Sequence, residues 1–139
     1  MKMSARVRNS QGVHETFLRA GEASQAVAIP PKPTGLGSSV SGGELLFLAL
    51  ATCYCNDLYR EAAKRKIELL SVDVEVEGDF LAEGAPAKDV WYRASVAANA
   101  SEAEIRDLMQ HTDTVAEIQN SLRVETPVRL REIGVEARK

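Results

Sequence analysis

The chain has 139 residues, 45% of them hydrophobic and 27% charged, with a net charge of −3. That is the profile of one globular α+β-sized domain over residues 1–139, able to bury a core, and not of a disordered chain. A mildly acidic chain without a basic block is a poor partner for nucleic acid, and its longest near-apolar run, Leu45–Cys55, is too short to span a bilayer. Met1–Arg8 lacks the apolar stretch of a secretory leader, and two cysteines two residues apart imply no disulfide framework. The expectation is a cytoplasmic protein, with no membrane partner and with reduced thiols.

The first thirty residues read as short strands. Ala5–Arg8 and Val13–Leu18 alternate imperfectly around the turn signal Asn9-Ser10-Gln11-Gly12, and Ala26–Ile29 reads as a third strand. Residues 30–39 form a loop rich in Pro, Gly and Ser that leads into the clearest element of the chain. Ser41-Gly42-Gly43-Glu44 is a capping box, and helix formers continue to Lys66. About 25 residues at ~1.5 Å each make a rod of roughly 37 Å. Its first half, Leu45–Ala51, is apolar all round and is expected to be buried on every side. Its second half, Asn56–Lys66, is amphipathic, and Lys64, Arg65 and Lys66 suit the negative end of the helix dipole.

Leu69–Glu77 and Val90–Ala97 predict a long hairpin across the Gly84- and Pro86-containing loop. Ser101-Glu102-Ala103-Glu104 is a second capping box, opening a helix through His111. Thr114-Val115-Ala116-Glu117 reads as the cap of a short helix to Leu122, and Val124–Val135 as a last strand. The order βββ-α-ββ-α(α)-β is α+β, with no βαβ units. One domain of this size does not easily surround a long apolar rod, so a second subunit is expected to cover Leu45–Ala51, most simply by two-fold symmetry.

The promising chemical centre is Cys53. It shares a helix face with Leu46, Ala49, Leu50 and Asp57. Cys55, two residues on, points nearly the opposite way, so the pair is not a ready disulfide. Either cysteine also reads as a small buried hydrophobe. Cys53 lies about ten residues inside the helix, too deep for the helix dipole to lower its pKa much. A reactive Cys53 therefore needs a cation from elsewhere, and Arg6, Arg8 and Arg19 in the strand region, or an arginine of a second subunit, are the candidates. His14 and His111 have no ligand-spaced partners, so neither a metal nor a cofactor is expected. No nucleotide-binding glycine pattern and no Ser/His/Asp grouping is present.

The stretch Ser41-Gly-Gly-Glu44-Leu-Leu-Phe-Leu-Ala-Leu-Ala-Thr-Cys53 resembles the cysteine helix of the OsmC/Ohr family (osmotically inducible and organic-hydroperoxide-resistance proteins). That helix typically reads Pro-Glu-Glu-Leu-Leu, then small and apolar residues, then Ala-x-Cys. Ala63–Ile67 and the hairpin after it are also similar to that family. The resemblance implies antiparallel sheets packed around a long central helix, in an intertwined homodimer with its sites at the subunit interface. It further implies that Cys53 attacks a hydroperoxide and becomes a sulfenic acid. In the family a second cysteine, in a Cys-Pro-like motif, then forms a disulfide, and an arginine and a glutamate support the first thiolate. Here Ala116 and Glu117 fall where Cys-Pro would be, and no cysteine follows residue 55. The family glutamate falls at Gly43, and the turn near Gly12 offers Ser10 in place of an arginine. Two functions follow from the resemblance. One is a one-cysteine reduction of organic hydroperoxides at Cys53, with a small hydrophobic peroxide as substrate and an external thiol as reductant. The other is a non-enzymatic dimer that binds a small hydrophobic ligand or a partner, with bare retention of the fold as a third outcome.

Overall fold

The computed structural model describes residues 1–138. In chain order the elements are β1 (Met3–Ser10), β2 (Val13–Ala20), β3 (Ala23–Gln25), α1 (Gly42–Lys64), β4 (Glu68–Asp79), β5 (Lys88–Asn99), α2 (Glu102–Thr114) and α3 (Glu117–Arg123). They form two antiparallel sheets, β1-β2-β3 and β4-β5. Gly12, at φ 74°, closes a two-residue turn between the paired Ser10 and Val13. The third strand ends before residue 26, short of the expected Ala26–Ile29. Thr16 Oγ1 takes over there, donating to the Val27 carbonyl (2.6 Å) and accepting from its N–H (3.0 Å), so a side chain replaces the ladder.

Both capping boxes form as their sequences predict. Ser41 and Glu44 close the start of α1, and Ser101 and Glu104 that of α2. Lys66, at φ 57°, turns the chain out of α1 into β4. Thr114 does not cap α3, because its hydroxyl donates to the His111 carbonyl (2.6 Å) and Ala116 stands at the cap without a side-chain bond. The expected strand Val124–Val135 does not form. A strand exists only through a ladder, and no described strand pairs with this segment, whose Val128, Leu130 and Val135 stand in solvent. Among the described residues no helix is long and apolar enough to cross a membrane.

The core lies between α1 and the β4-β5 hairpin. Tyr54, Leu58 and Ala62 recur at four-residue spacing along α1 and meet Leu108 of α2. The hairpin supplies Leu69, Val72, Val74, Tyr92, Ala94 and Val96. Leu69 and Val72 are three residues apart, an odd step that plain alternation would send to opposite faces. A bulge at Leu70, between the pairs Leu69↔Ala98 and Ser71↔Ala97, restores the parity. On the outer face Arg93 lies over the Trp91 ring and pairs with Glu75 (2.7 Å) and Glu77 (3.2 Å).

The apolar first half of α1 is not enclosed by its own chain. Leu45, Leu46 and Phe47 are half-buried and Leu48 is exposed, which corrects the expectation of burial on every side as far as one chain is concerned. The N-terminal sheet makes no substantial contact with α1 or with the second sheet, which leaves Met3, Val7 and Phe17 largely exposed.

Leu58 is fully buried at the centre of the core. Replacing it by Ala removes packing from α1, α2 and β4 together. The expected loss is about 2–5 kcal/mol, the range for large-to-small core changes. Urea midpoints of Leu58→Ala against the parent measure it, and an unchanged midpoint would show that the core lies elsewhere.

Candidate active site around Cys53

Helix α1 turns one stripe inward: Leu50, Tyr54, Asp57, Leu58, Glu61 and Ala62. Two acids in an apolar stripe need partners, because a buried unpaired charge is costly. Arg60 supplies them. Its Nε bonds Glu61 Oε2 (2.8 Å), and its Nη1 bonds both Asp57 Oδ1 (3.1 Å) and Glu117 Oε1 (2.7 Å). Its Nη2 donates to the Val115 carbonyl (3.4 Å). Since Val115 and Glu117 flank the start of α3, one guanidinium ties α3 to α1. Glu61 is also reached by Lys64 (2.9 Å) and by His111 Nε2 (3.1 Å). Arg60 first, then Lys64, hold the Glu61 carboxyl down to about 2.

Cys53 lies one turn before Asp57. Its thiol donates to Asp57 Oδ2 at 3.4 Å, and Glu117 Oε2 lies 3.9 Å from the same sulfur. Each carboxylate thus gives one oxygen to Arg60 and turns the other to the sulfur. Burial pushes the Cys53 thiol up, the Ile118 N–H pulls the other way, and Asp57 adds to the rise. Asp57 is itself raised, by burial and then by Glu117, whereas Glu117 is lowered by Asp57 and Arg60. Two like charges 4 Å apart repel by about 4 kcal/mol at an effective dielectric near 20. A bare thiolate is therefore opposed here, although solvent at the exposed Glu117 screens part of that repulsion.

No strand arginine reaches the sulfur, contrary to expectation. Arg6 lies over the Phe17 ring at 5.6 Å, in the sheet that stands away from α1. The cation of the cluster is Arg60, and it touches the carboxylates, not the thiol. At Gly43 the Phe80 ring stands where a side chain would start, 2.8 Å from an added Cβ, so a glutamate there would have to push that ring aside. Glu44 is held in the cap of α1. The segment expected at the second cysteine motif does lie beside Cys53, with Ala116 in the cysteine's place and the next residue, Glu117, turned to the sulfur. Cys55 borders a different groove with Ala51, Thr52 and Val74, and both cysteines are free. His111 serves Glu61, and His14 bonds Asn9 (2.9 Å).

No metal was expected, yet donor atoms of Cys53, Asp57 and Glu117 lie within 4.8 Å of one another, a spacing that a metal ion can use. Arg60 already neutralises both carboxylates through their other oxygens, so an ion there would sit against a guanidinium charge. Sequence reasoning placed Asp57 on the face of Cys53 but gave it no task, and it missed Arg60 and Glu61. The available signal was two acids at four-residue spacing on the buried stripe.

Comparison with known proteins gives a consistent family. A family model described as OsmC-like protein matches residues 35–131. Among solved structures, an OsmC-like protein from Mycoplasma pneumoniae superposes with TM-score 0.61 at 16% identity, over 88% of this chain and 86% of that one. An OsmC-like protein of unknown function from Vibrio cholerae gives 0.58 at 16% identity, over 87% and 93%. An OsmC-like hydroperoxide resistance protein from Jannaschia sp. gives 0.57 at 14% identity, over 97% and 93%. No curated protein matches the chain.

Glu61 makes the cluster acid-sensitive. Its carboxyl lies below the ordinary 4.5 in the folded chain, so its contribution is fully present above that value and is lost as pH falls toward about 2. Glu61→Gln is expected to lower the denaturant midpoint at neutral pH and to flatten the decline below 4.5. Parallel acid curves for the two proteins would remove Glu61 from the account.

Proposed function

The chain belongs to the OsmC-like family, and on that footing we propose that it is a homodimer which reduces organic hydroperoxides through Cys53. The observation that carries this reading is a half-buried, unbridged thiol on the central helix, hydrogen-bonded to Asp57 and facing α3. In the net reaction the sulfur takes the terminal oxygen of the peroxide and the alcohol leaves. Two equivalents of an external thiol then return the sulfenic acid to the thiol, yielding a disulfide and water. With Ala116 where the family pattern has the second cysteine, the chain has no thiol of its own there. A reducing, cytoplasmic setting suits two free cysteines and an external reductant.

The homodimer is supported by what one chain leaves uncovered. Leu48, the apolar residues of the N-terminal sheet and the tail residues Val128, Leu130, Ile133 and Val135 are all exposed. So much apolar surface on a lone chain calls for a partner, and a second copy is the simplest.

A second reading has its own observation. The thiol is raised and no cation of the described residues of its own chain bonds the sulfur, which favours a dimer that binds a small hydrophobic ligand or a partner without chemistry. An open groove of about 810 Å³ between β5 and α2, lined by Tyr54, Val96, Ile105 and Met109 and by the polar Arg106 and Asp113, is where such a ligand would sit.

Two measurements test these statements. Cumene hydroperoxide is expected to convert Cys53 to a dimedone-trappable sulfenic acid faster than hydrogen peroxide does. Turnover with a small thiol should vanish in Cys53→Ser and persist in Cys55→Ser. If the peroxide leaves Cys53 unmodified, the binding reading replaces the peroxidase. Sedimentation at micromolar concentration is expected to show a dimer, with an interface above the ~1,600 Å² of standard complexes. A monomer there would sink the homodimer.

A further inference from the structure

Deprotonation at Cys53 faces an electrostatic obstacle. Asp57, Glu117 and Arg60 together carry one net negative charge beside the sulfur. Losing the thiol proton to solvent adds a second negative charge to the cluster. Passing that proton along the 3.4 Å hydrogen bond to Asp57 Oδ2 leaves the total unchanged. The internal route therefore avoids the repulsion that the solvent route creates. Asp57 is also built to receive the proton: it is buried, and Arg60 holds only its Oδ1, so Oδ2 stays turned to the sulfur.

We propose that Asp57 is the proton shuttle of Cys53, taking the thiol proton as the sulfur attacks and delivering it to the oxygen that leaves. This rests on the peroxidase reading and adds the route of the proton. In the step, Asp57 Oδ2 accepts the proton from Sγ, and the sulfur lone pair forms an S–O bond to the terminal peroxide oxygen. The O–O bond breaks with its electron pair going to the alkoxide, and Asp57 returns the proton to make the alcohol. Sulfur loses two electrons and the peroxide gains them. Glu117 does not share this role. It is solvent-exposed, lies farther from the sulfur, and gives its Oε1 to Arg60 at the shorter distance.

The groups facing the sulfur are Asp57 and Arg60 from α1, with Glu117 and the Ile118 N–H from α3. Three electrophiles separate a proton shuttle from a mere negative charge. Iodoacetamide expels iodide and needs no proton, whereas cumene hydroperoxide and styrene oxide release oxygen that must be protonated. In Asp57→Asn the iodoacetamide rate near pH 7 should rise, by about tenfold for each unit that the thiol pKa falls. The hydroperoxide and epoxide rates should drop, by about a hundredfold for a lost general acid–base. In Glu117→Gln, which removes charge but keeps Asp57, all three rates should rise. Should Asp57→Asn not fold, Asp57→Glu keeps the charge but shifts the acceptor oxygen away from the 3.4 Å hydrogen bond. It should lower the hydroperoxide and epoxide rates while leaving the iodoacetamide rate near the parent's, and three rates that stay together there overturn the shuttle. The shuttle is overturned if the three rates move together in Asp57→Asn, or if Glu117→Gln is the variant that splits them. If iodoacetamide and epoxide diverge as expected while hydroperoxide reacts with neither protein, the peroxidase reading fails and the shuttle stands.

Discussion

Arg60 is the point through which the cluster is organised. Its guanidinium spends its donors on Asp57, Glu61, Glu117 and the Val115 carbonyl, and so it binds two acids of its own helix to the entrance of another. A planar fork with several fixed donors is needed for this, and the single ammonium of a lysine could not span the same set. Helix α3 has only seven residues and no side-chain cap, so it has little stability of its own. Its position against α1 comes from this guanidinium, together with Gln119 Nε2 donating to the Leu50 carbonyl at 2.9 Å. Without that anchorage Glu117 has no reason to face the sulfur.

The same stripe of α1 serves stability and chemistry. Leu58 and Ala62 pack against the hairpin, while Asp57 and Glu61, one residue before each, turn toward α2 and α3. A helix advances 100° per residue, so neighbouring positions diverge enough to give one side of a buried stripe to the core and the other to a charged cluster. Burial by the core then sets the electrostatics. It raises both the thiol and Asp57, while paired Glu61 is lowered.

Local signals in the sequence translated well. Ser41 with Glu44 and Ser101 with Glu104 mark the two helix starts, and Gly12 marks the first turn, because each depends on residues within one turn of chain. The alternation of Val72, Val74 and Val76 fixes the inner face of β4. What the sequence hid was set by distant partners. Thr16 captures Val27 and ends β3 early, and Val124–Val135 has the strand pattern without a partner strand in its own chain. The site was half legible. Cys53 and Asp57 fall on one face by helical spacing, and the family pattern put Ala116 and Glu117 at the second motif. Arg60 could not be found, because nothing local shows that α3 returns to that face of α1 after a hairpin and another helix.

The bulge at Leu70 bears on how this chain tolerates insertions and deletions. Leu69 closes the core near the end of α1, and Val72 begins the inward series of the hairpin. A single deletion at Leu70 would make the ladder regular but set Leu69 out of phase with Val72. Either Leu69 or the whole valine series would then point to solvent. An added residue upsets the same phase unless a second bulge absorbs it. Length changes in this part of the lineage should therefore collect in the open loop between β4 and β5, past Phe80, where residues 81–86 are all exposed, and avoid the junction between the central helix and its sheet.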